Sequence, residues 1–184
     1  EIVIGHNAKD KAEVEKMIRN HEWSDFIRKV PVHKGDFFQI NPGCVHAIKG
    51  GTLILETQQS SDITYRVYDY DRLQNGKPRH VEQSIDVIEA PFKTADIDTF
   101  TEEIPGAVHT HFVTCKFYSV DKYDIDGVFT LDAKKYYTNV SVIAGEGTVN
   151  GIPVKKGTHF IIPANFNGCR FEGKLSVICS NPEA

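Results

Sequence analysis

Hydrophobic and polar residues follow a helical period at the start of the chain. The apolar residues there recur about every 3.6 positions among charged side chains: Ala12, Val14, Met17 and Ile18. This spacing predicts a helix from Asn7 to Arg19, with Asn7 as its N-cap. A second short helix is predicted from Glu22 to Arg28, where aromatic and branched residues form one apolar face. We therefore expect a small helical cover within residues 1–30.

After Val30 the pattern is that of β-strands. Segments rich in β-branched and aromatic residues alternate with Gly and Pro turns and predict strands at Phe37–Ile40, Thr52–Gln58 and Thr64–Tyr70. Pro91 is the predicted boundary between two halves of the chain. Beyond it, further strands are predicted at Val108–Val120, Tyr136–Ile143, Gly147–Val149, Thr158–Ile162 and Leu175–Cys179. The chain is expected to be mostly β.

A short sequence pattern occurs twice with the same spacing, at residues 32–40 and 154–162. Each copy has Val, a Lys-Gly pair, Phe and Ile at matching positions, as expected for one corner of a jelly roll. Two copies predict two double-sheet barrels, although chance similarity of Lys-Gly turns also accounts for so few matches. His46 follows the first copy, whereas Gly168 stands at the aligned position after the second. We therefore expect a metal ligand in the first barrel and none in the second.

The composition excludes several functional classes. Hydrophobic residues make up 40% of the chain and charged residues 25%, the balance of a globular protein. The net charge of −4 and the lack of a basic stripe exclude nucleic acid and anionic membranes as partners. Apolar runs such as 160–163 are far shorter than the roughly 20 residues that span a bilayer. The 4 cysteines have no C-x-x-C spacing, which favours reduced thiols and a cytoplasmic location.

The candidate chemistry lies between residues 32 and 72. Pro42-Gly43 makes a turn and places His46 at the start of the next predicted strand. A neutral imidazole on a rigid strand is a common ligand of divalent metals, and the polar strands that follow favour that role. The alternative is a core histidine whose two nitrogens are both hydrogen-bonded within the fold.

Further polar positions on the predicted strands need an explanation. Alternation places Glu56 on one face of its strand; if that face is inward, the carboxylate must be paired, bound to metal or used as an acid or base. If the face is outward, Glu56 is an ordinary surface residue, and the spacing leaves both alternatives open. On the next strand Asp62 and Arg66 share a side, which suits an arginine that clamps a phosphate or an oxyanion. A surface ion pair at a sheet edge is the alternative.

Three segments are distinctive: Gly35-Asp36-Phe37-Phe38, Pro42-Gly43-x-x-His46-Ala47-Ile48 and, above all, the run from Leu55 to Arg72. Together they resemble type I mannose-6-phosphate isomerases in the short bacterial form. The resemblance extends over essentially the whole chain and is weaker past Pro91. It implies cupin-type double-stranded β-helix (jelly-roll) barrels with a small α-helical cover. The implied domains are a strand and helical cover at 1–30, part of a metal-binding cupin barrel at 31–90, and a second cupin-like barrel without metal ligands at 91–184.

The resemblance implies the interconversion of mannose 6-phosphate and fructose 6-phosphate at a zinc site. This aldose-ketose isomerisation moves a proton between adjacent carbons through an enediol, so it needs a base and stabilisation of an oxyanion. His46 resembles a zinc ligand of the family and Arg66 its active-site arginine, which Asp62 would orient. Glu56 lies where a carboxylate near the substrate is expected, and we take it as the hypothetical proton-transfer base.

The chain departs from the family pattern in its zinc ligands. A Gln-x-His pair and a Glu complete the family's site upstream of the region that begins with Glu1, and one imidazole cannot make a three- or four-ligand site. We therefore expect a carboxyl-terminal fragment that is inactive alone and whose partner is the missing amino-terminal segment. The alternative is a non-catalytic cupin that binds a sugar phosphate without zinc. An unrelated cupin metalloenzyme such as a dioxygenase is disfavoured by the lack of further clustered histidines.

Two other histidines, His109 and His111, are two positions apart on a predicted strand and therefore point to the same side. Such a pair could hold a metal, but it is more often a polar strand face. No role is assigned to His6, His33, His80 or His159.

Overall fold

A computed structural model of the chain describes residues 1–61, 63–69, 79–132, 135–166 and 168–183. The chain divides into two compact units. The first comprises Glu1–Glu56 and Ser60–Asp96, and the second comprises Thr57–Gln59 and Ile97–Ala184. The main division therefore falls between Asp96 and Ile97, close to the boundary predicted at Pro91.

The first unit is a small sheet with helices packed beside it. Its elements are β1 (Ile2–His6), α1 (Lys11–Arg19), α2 (Trp23–Phe26), β2 (Ile27–Val30), β3 (His46–Ile48) and α3 (Val81–Val87). The strands form an antiparallel sheet in the order β2-β1-β3. Helices α1 and α2 contribute Val14, Ile18 and Phe26 to the core of this unit, and α3 contributes Ile85. The predicted helical cover is present because these apolar side chains share one face.

The ends of the first two helices differ from the prediction. Helix α1 begins after Asp10, whose Oδ1 accepts a hydrogen bond from the Glu13 amide at 2.8 Å. The prediction of Asn7 as N-cap is therefore wrong; its Nδ2 donates to the Asp25 carbonyl at 2.9 Å. Helix α2 ends at Phe26 because Ile27 is extended and pairs with β1 in the sheet.

The strands predicted at 37–40, 52–58 and 64–70 are not found in the described residues of those segments, which have no regular strand. A high β-propensity reflects the fit of a side chain to a half-buried sheet, and it stabilises a strand only when that burial is available. Here Leu53 is 91% exposed and Ile63 is 66% exposed. The prediction of these strands was wrong because the apolar side chains are exposed and their burial does not stabilise a sheet.

The second unit consists almost entirely of β-strands. Its elements are β4 (Phe100–Ile104), β5 (Ala107–Thr114), β6 (Tyr118–Leu131), β7 (Thr138–Val149), β8 (Ile152–Lys155), β9 (His159–Ile162) and β10 (Cys169–Pro182). They form an antiparallel sheet in the order β4-β5-β6-β10-β7-β8, with β9 also paired to β7. The longest ladder joins β10 to β6, from Cys169 opposite Leu131 to Pro182 opposite Tyr118. Its core includes Phe171, Val177 and Val140, each 0–1% exposed.

Two boundaries in this unit were predicted wrongly. The single strand predicted at Val108–Val120 is a hairpin of β5 and β6, closed by the Cys115 amide donating to the Tyr118 carbonyl at 2.9 Å. That turn contains neither Gly nor Pro, so no local turn signal marks it. Conversely, the two strands predicted at Tyr136–Ile143 and Gly147–Val149, with a turn between them, are one strand, β7. At Gly147 the backbone of β10 approaches so closely that an added Cβ would lie 2.2 Å from the Glu172 carbonyl oxygen. Glycine here allows close contact between strands rather than a turn.

The repeated pattern has the same turn conformation in both copies. Gly35 and Gly157 have φ values of +100° and +89°, the left-handed region that glycine adopts at low cost. In the second copy the turn joins β8 to β9, which pair with β7.

In the described residues, none of the helices has the length and apolar character needed to cross a membrane.

Candidate functional site

Polar and aromatic side chains meet on one face of β4, β5 and β6. The register sets Phe100, His111 and Asp121 in one cross-strand row. The neighbouring row consists of Glu102, His109 and Tyr123. Because alternate residues of a strand point to the same face, the two rows lie side by side. A pair of histidines two apart is thereby brought next to an aspartate ten residues further along the chain.

The two imidazoles share one carboxylate oxygen. His109 Nε2 and His111 Nδ1 each lie 2.8 Å from Asp121 Oδ1, to which they donate. The potential ligand atoms of the three residues all lie within 4.8 Å of one another. We call these three residues the His-His-Asp cluster. Among the residues that the structure describes, it is the group of three or more His, Cys, Asp or Glu side chains that could hold a metal ion.

The second nitrogen of each imidazole also faces a carboxylate. His109 Nδ1 lies 3.0 Å from Glu102 Oε1 on β4. His111 Nε2 lies 3.4 Å from Asp98 Oδ1 and 3.2 Å from Thr114 Oγ1. These contacts fix the orientation of both rings, so their inner nitrogens point towards Asp121.

A β-bulge positions Thr114 beside His111. The register between β5 and β6 shifts between His111 and Val113, so that His111 faces Asp121 while Val113 faces Val120. Such an extra residue bends a strand and re-aims the side chains beside it. Thr114 follows the bulge, and its amide donates to Asp98 Oδ1 at 3.3 Å, which ties the segment before β4 to the end of β5.

The cluster is largely shielded from water. The side chains of His109, His111 and Asp121 are 14%, 10% and 7% exposed. Phe100 stacks on His111 with ring centroids 5.2 Å apart, and Tyr123 stacks on His109 at 4.8 Å. Burial alone would lower the pKa of His109, but its hydrogen bonds to Asp121 and Glu102 outweigh burial and raise it. Burial and the nearby Asp121 carboxylate raise the pKa of the Tyr123 hydroxyl.

His46, the predicted zinc ligand, begins β3 as the sequence predicted. Its side chain is exposed, and its Nδ1 donates to the Cys44 carbonyl at 3.0 Å. In the part of the chain that the structure describes, His46 belongs to no group of three potential metal ligands. Its role in binding zinc stays a prediction, as does the absence of metal ligands from the second barrel.

Arg66 and Glu56 lie in irregular segments of the first unit. Arg66 Nη1 donates to Asp69 Oδ2 at 2.7 Å, and the Arg66 backbone exchanges hydrogen bonds with His80. Asp62, which was predicted to orient this arginine, lies outside the described residues. Glu56 is exposed and in no strand, so the alternation argued for it does not apply. The catalytic roles of Arg66, Asp62 and Glu56 remain predictions.

The sequence indicated the two histidines of the His-His-Asp cluster but not its aspartate. The prediction that His109 and His111 point to the same side is confirmed by the register. Asp121 was missed because the hairpin turn before it was read as a continuous strand. Asp121 lies between Val120 and Lys122, and this local pattern carries no mark of a metal ligand.

The chain is similar in sequence to mannose-6-phosphate isomerases. Residues 108–182 match the family profile described as mannose-6-phosphate isomerase, cupin domain. The chain is 42% identical over 188 residues to mannose-6-phosphate isomerase ManA of Bacillus subtilis and 41% identical to mannose-6-phosphate isomerase of Streptococcus mutans. Each alignment covers 98% of this chain, whereas the chain spans only about 60% of the length of these relatives.

The fold agrees with the sequence comparison. The chain superposes on the crystal structure of the mannose 6-phosphate isomerase from Bacillus subtilis with a TM-score of 0.89 and 35% identity. This match covers 98% of the chain and 60% of the crystallised one. The mostly β, cupin-type fold expected from the sequence is confirmed. In both sequence and fold the chain is therefore related to mannose-6-phosphate isomerases, whose cupin domain is matched by residues 108–182.

Proposed function

We propose that this chain is part of a mannose-6-phosphate isomerase that interconverts mannose 6-phosphate and fructose 6-phosphate in the cytoplasm. The observation that carries the proposal is the alignment of 98% of the chain with mannose-6-phosphate isomerases at 41–42% identity. Because the chain spans about 60% of those relatives, the rest of the active site would come from sequence beyond it. The small-molecule partner is then a sugar phosphate, and the macromolecular partner is that remaining sequence.

The local geometry of His46 fits a zinc ligand. The Cys44 carbonyl accepts a hydrogen bond from Nδ1, so the Nε2 nitrogen carries the lone pair that binds a metal. One imidazole does not make a zinc site, so further ligands from outside this chain are required. When bound, zinc would polarise a substrate oxygen as a Lewis acid.

Arg66 would bind the substrate's developing negative charge. Its guanidinium is held by the 2.7 Å ion pair with Asp69 and is 31% exposed, so it is oriented yet accessible. A fixed guanidinium can donate two parallel hydrogen bonds to a phosphate or an oxyanion. In this proposal Asp62 helps to orient the arginine, and Glu56 transfers the proton between adjacent carbons of the sugar.

The exposure of apolar residues in the first unit supports a missing partner segment. Leu53 is 91% exposed, Ile63 is 66% exposed and Ile54 is 45% exposed. Leu53 and Ile54 lie in a segment that the sequence predicts as a strand, and Ile63 directly precedes the next one. All three would gain burial if further strands of the barrel covered them. The missing amino-terminal segment would then complete the first barrel as well as the zinc site.

The proposal is tested with two proteins: this chain alone and the product of the whole reading frame that encodes it. Turnover of mannose 6-phosphate is followed through a coupled assay for fructose 6-phosphate, and zinc content is measured in parallel. We expect only the longer protein to turn over mannose 6-phosphate. The substitution His46→Gln in that protein should abolish turnover and remove one zinc ion. His159→Gln, a change at an exposed histidine of the second unit, is the control and should have no effect.

A different result would favour the non-catalytic alternative. If the longer protein binds mannose 6-phosphate in calorimetry but does not turn it over, even with zinc supplied, the chain is a binding module. Zinc-independent binding of the same ligand by this chain alone would point the same way.

A further inference from the structure

The His-His-Asp cluster has the composition of a transition-metal site. Two imidazoles and one carboxylate are the ligands that zinc and similar divalent ions take in open sites, with one position left for water or substrate. The three residues are on neighbouring strands β5 and β6, so a rigid ladder fixes their backbone positions. Their potential ligand atoms lie within 4.8 Å of one another, which is close enough to surround a single ion.

The groups behind the ligands have the arrangement found around bound metals. A histidine that binds a metal usually donates its other N–H to a carboxylate or a carbonyl, which fixes the ring and raises its basicity. His109 does so to Glu102 at 3.0 Å. His111 has Asp98 at 3.4 Å in the same position, with Thr114 beside it. Both rings thus have a carboxylate on the outer nitrogen and a shared carboxylate on the inner one.

The local charge also favours a cation. Three carboxylates, those of Asp98, Glu102 and Asp121, surround two imidazoles. In the described part of the chain, every ion pair of these three carboxylates is made with one of those two histidines. Asp121 is the buried carboxylate, 7% exposed, whereas Glu102 and Asp98 are 53% and 64% exposed. A divalent ion at the inner ring nitrogens would balance the Asp121 charge, which is costly to leave unbalanced when buried.

A plain hydrogen-bond network is the competing explanation. Asp121 Oδ1 already accepts from both rings at 2.8 Å, and this arrangement is satisfied without a metal. It requires His109 to be protonated on both nitrogens, since Nδ1 also donates to Glu102. The two explanations differ in what happens when zinc is added, because a metal would displace the inner protons.

We propose that the His-His-Asp cluster of the second unit binds one divalent transition-metal ion, independently of the zinc site that includes His46. The ligands are His109 Nε2, His111 Nδ1 and the Asp121 carboxylate. On binding, His109 releases its Nε2 proton to solvent and keeps the Nδ1–H directed at Glu102. His111, which donates from Nδ1 in the metal-free chain, loses that proton to solvent and takes one up on Nε2, where it is directed at Asp98 and Thr114.

Zinc alone is the probe for this site. The purified chain, stripped with a chelator, is titrated with zinc in a calorimeter, and the metal retained after dialysis is measured. We expect one zinc per chain, and a single ligand change (His111→Gln) to weaken binding at least tenfold. Glu102→Gln, which leaves all three ligands in place, should weaken it by about tenfold through the outer hydrogen bond.

Two control variants separate this site from others. His159→Gln removes an exposed histidine of the same unit, and His46→Gln removes the ligand of the proposed isomerase site. Both should retain the zinc. Equal zinc binding by the native chain and His109→Gln/His111→Gln, or no zinc binding by the native chain, would overturn the proposal. Loss of zinc in His46→Gln alone would show that the metal binds at the site that includes His46. That result would overturn the present proposal and leave the isomerase proposal unaffected.

A measurement on the unaltered chain covers the case in which a variant does not fold. Nitrogen NMR of the histidine rings reports which ring nitrogen carries a proton and which one binds metal. With zinc, His109 should bind through Nε2 and His111 through Nδ1. If neither set of ring signals changes as zinc is added, the cluster is a hydrogen-bond network only.

Discussion

His111 and Asp121 lie directly opposite each other on neighbouring strands, with 2.8 Å between Nδ1 of the imidazole and Oδ1 of the carboxylate. The same oxygen accepts from His109 at the same distance, so Asp121 organises both rings. Since the aspartate is 5% exposed and the hairpin fixes its position, removing its charge should affect the second unit as a whole.

We expect Asp121→Asn to lower the free energy of unfolding of the metal-free chain by about 1–3 kcal/mol. The change leaves buried donors of both histidines without a charged acceptor, and that is the usual cost of such a loss. Urea unfolding measures it. Asp126→Asn is the matched control on the same strand; its pair with Lys174 is 77–82% exposed, so the cost should be less than about 1 kcal/mol. Equal effects of the two changes would contradict this role for Asp121.

Asp124 predicts how acid destabilises the second unit. Burial alone would raise the pKa of this carboxyl, but hydrogen bonds from Lys122 at 2.7 Å and Ser176 at 2.5 Å hold the pKa below its usual value. A pKa depressed by folding gives stability that is present above the unfolded value of about 3.9 and is lost as the pH falls through the folded pKa. Urea unfolding of native chain and Asp124→Asn should therefore converge at low pH. A constant difference down to acid pH would rule out this contribution.

The turn between β4 and β5 depends on Gly106. Its φ is +84°, and a Cβ there would lie 1.9 Å from the Val128 carbonyl oxygen. Gly151 has a similar φ of +80° but no atom within 4 Å of an added Cβ. Gly106→Ala should therefore destabilise the chain by about 1–3 kcal/mol more than Gly151→Ala, because only the first adds a backbone clash to the conformational strain. Thermal unfolding of both variants checks this, and equal losses would show that no clash occurs.

Lys11 closes the end of α3 from a distant part of the first unit. Its Nζ donates to the carbonyls of Ile85 at 2.6 Å, Asp86 at 2.9 Å and Ile88 at 2.6 Å. A lysine that satisfies the last carbonyls of a helix also complements its dipole. Lys11→Met should lower the free energy of unfolding in urea by about 1–2 kcal/mol. Lys16→Met, on the exposed side of α1, should lower it far less. Similar values would mean that the three hydrogen bonds add little.

The second unit followed from the sequence better than the first. The β-rich pattern from Val108 to Cys179 predicted strands that the structure has, because these side chains are buried in its core. The pattern from Phe37 to Tyr70 is just as β-rich, yet its described residues form only the three-residue strand β3, His46–Ile48. Local propensity is the same in both places, whereas burial depends on neighbouring strands that a single segment cannot specify.

The limits of prediction for the candidate site have a similar cause. The i, i+2 spacing of His109 and His111 placed them on one face, since a strand has a period of two. Asp121 joins them only through a hairpin without Gly or Pro, so its position depends on pairing rather than on a local signal. His46 and Arg66 were indicated by the turn and strand pattern and by resemblance to a family, and neither source carries information on what covers them.

The most direct measurement is kcat/KM for mannose 6-phosphate in the protein made from the whole reading frame that encodes this chain. We predict that Arg66→Gln lowers it by at least about 100-fold, the usual effect of removing a group that stabilises an oxyanion. Arg170→Gln, at a 53% exposed arginine of the second unit, should leave it unchanged. Normal turnover by Arg66→Gln would contradict the proposed isomerase site.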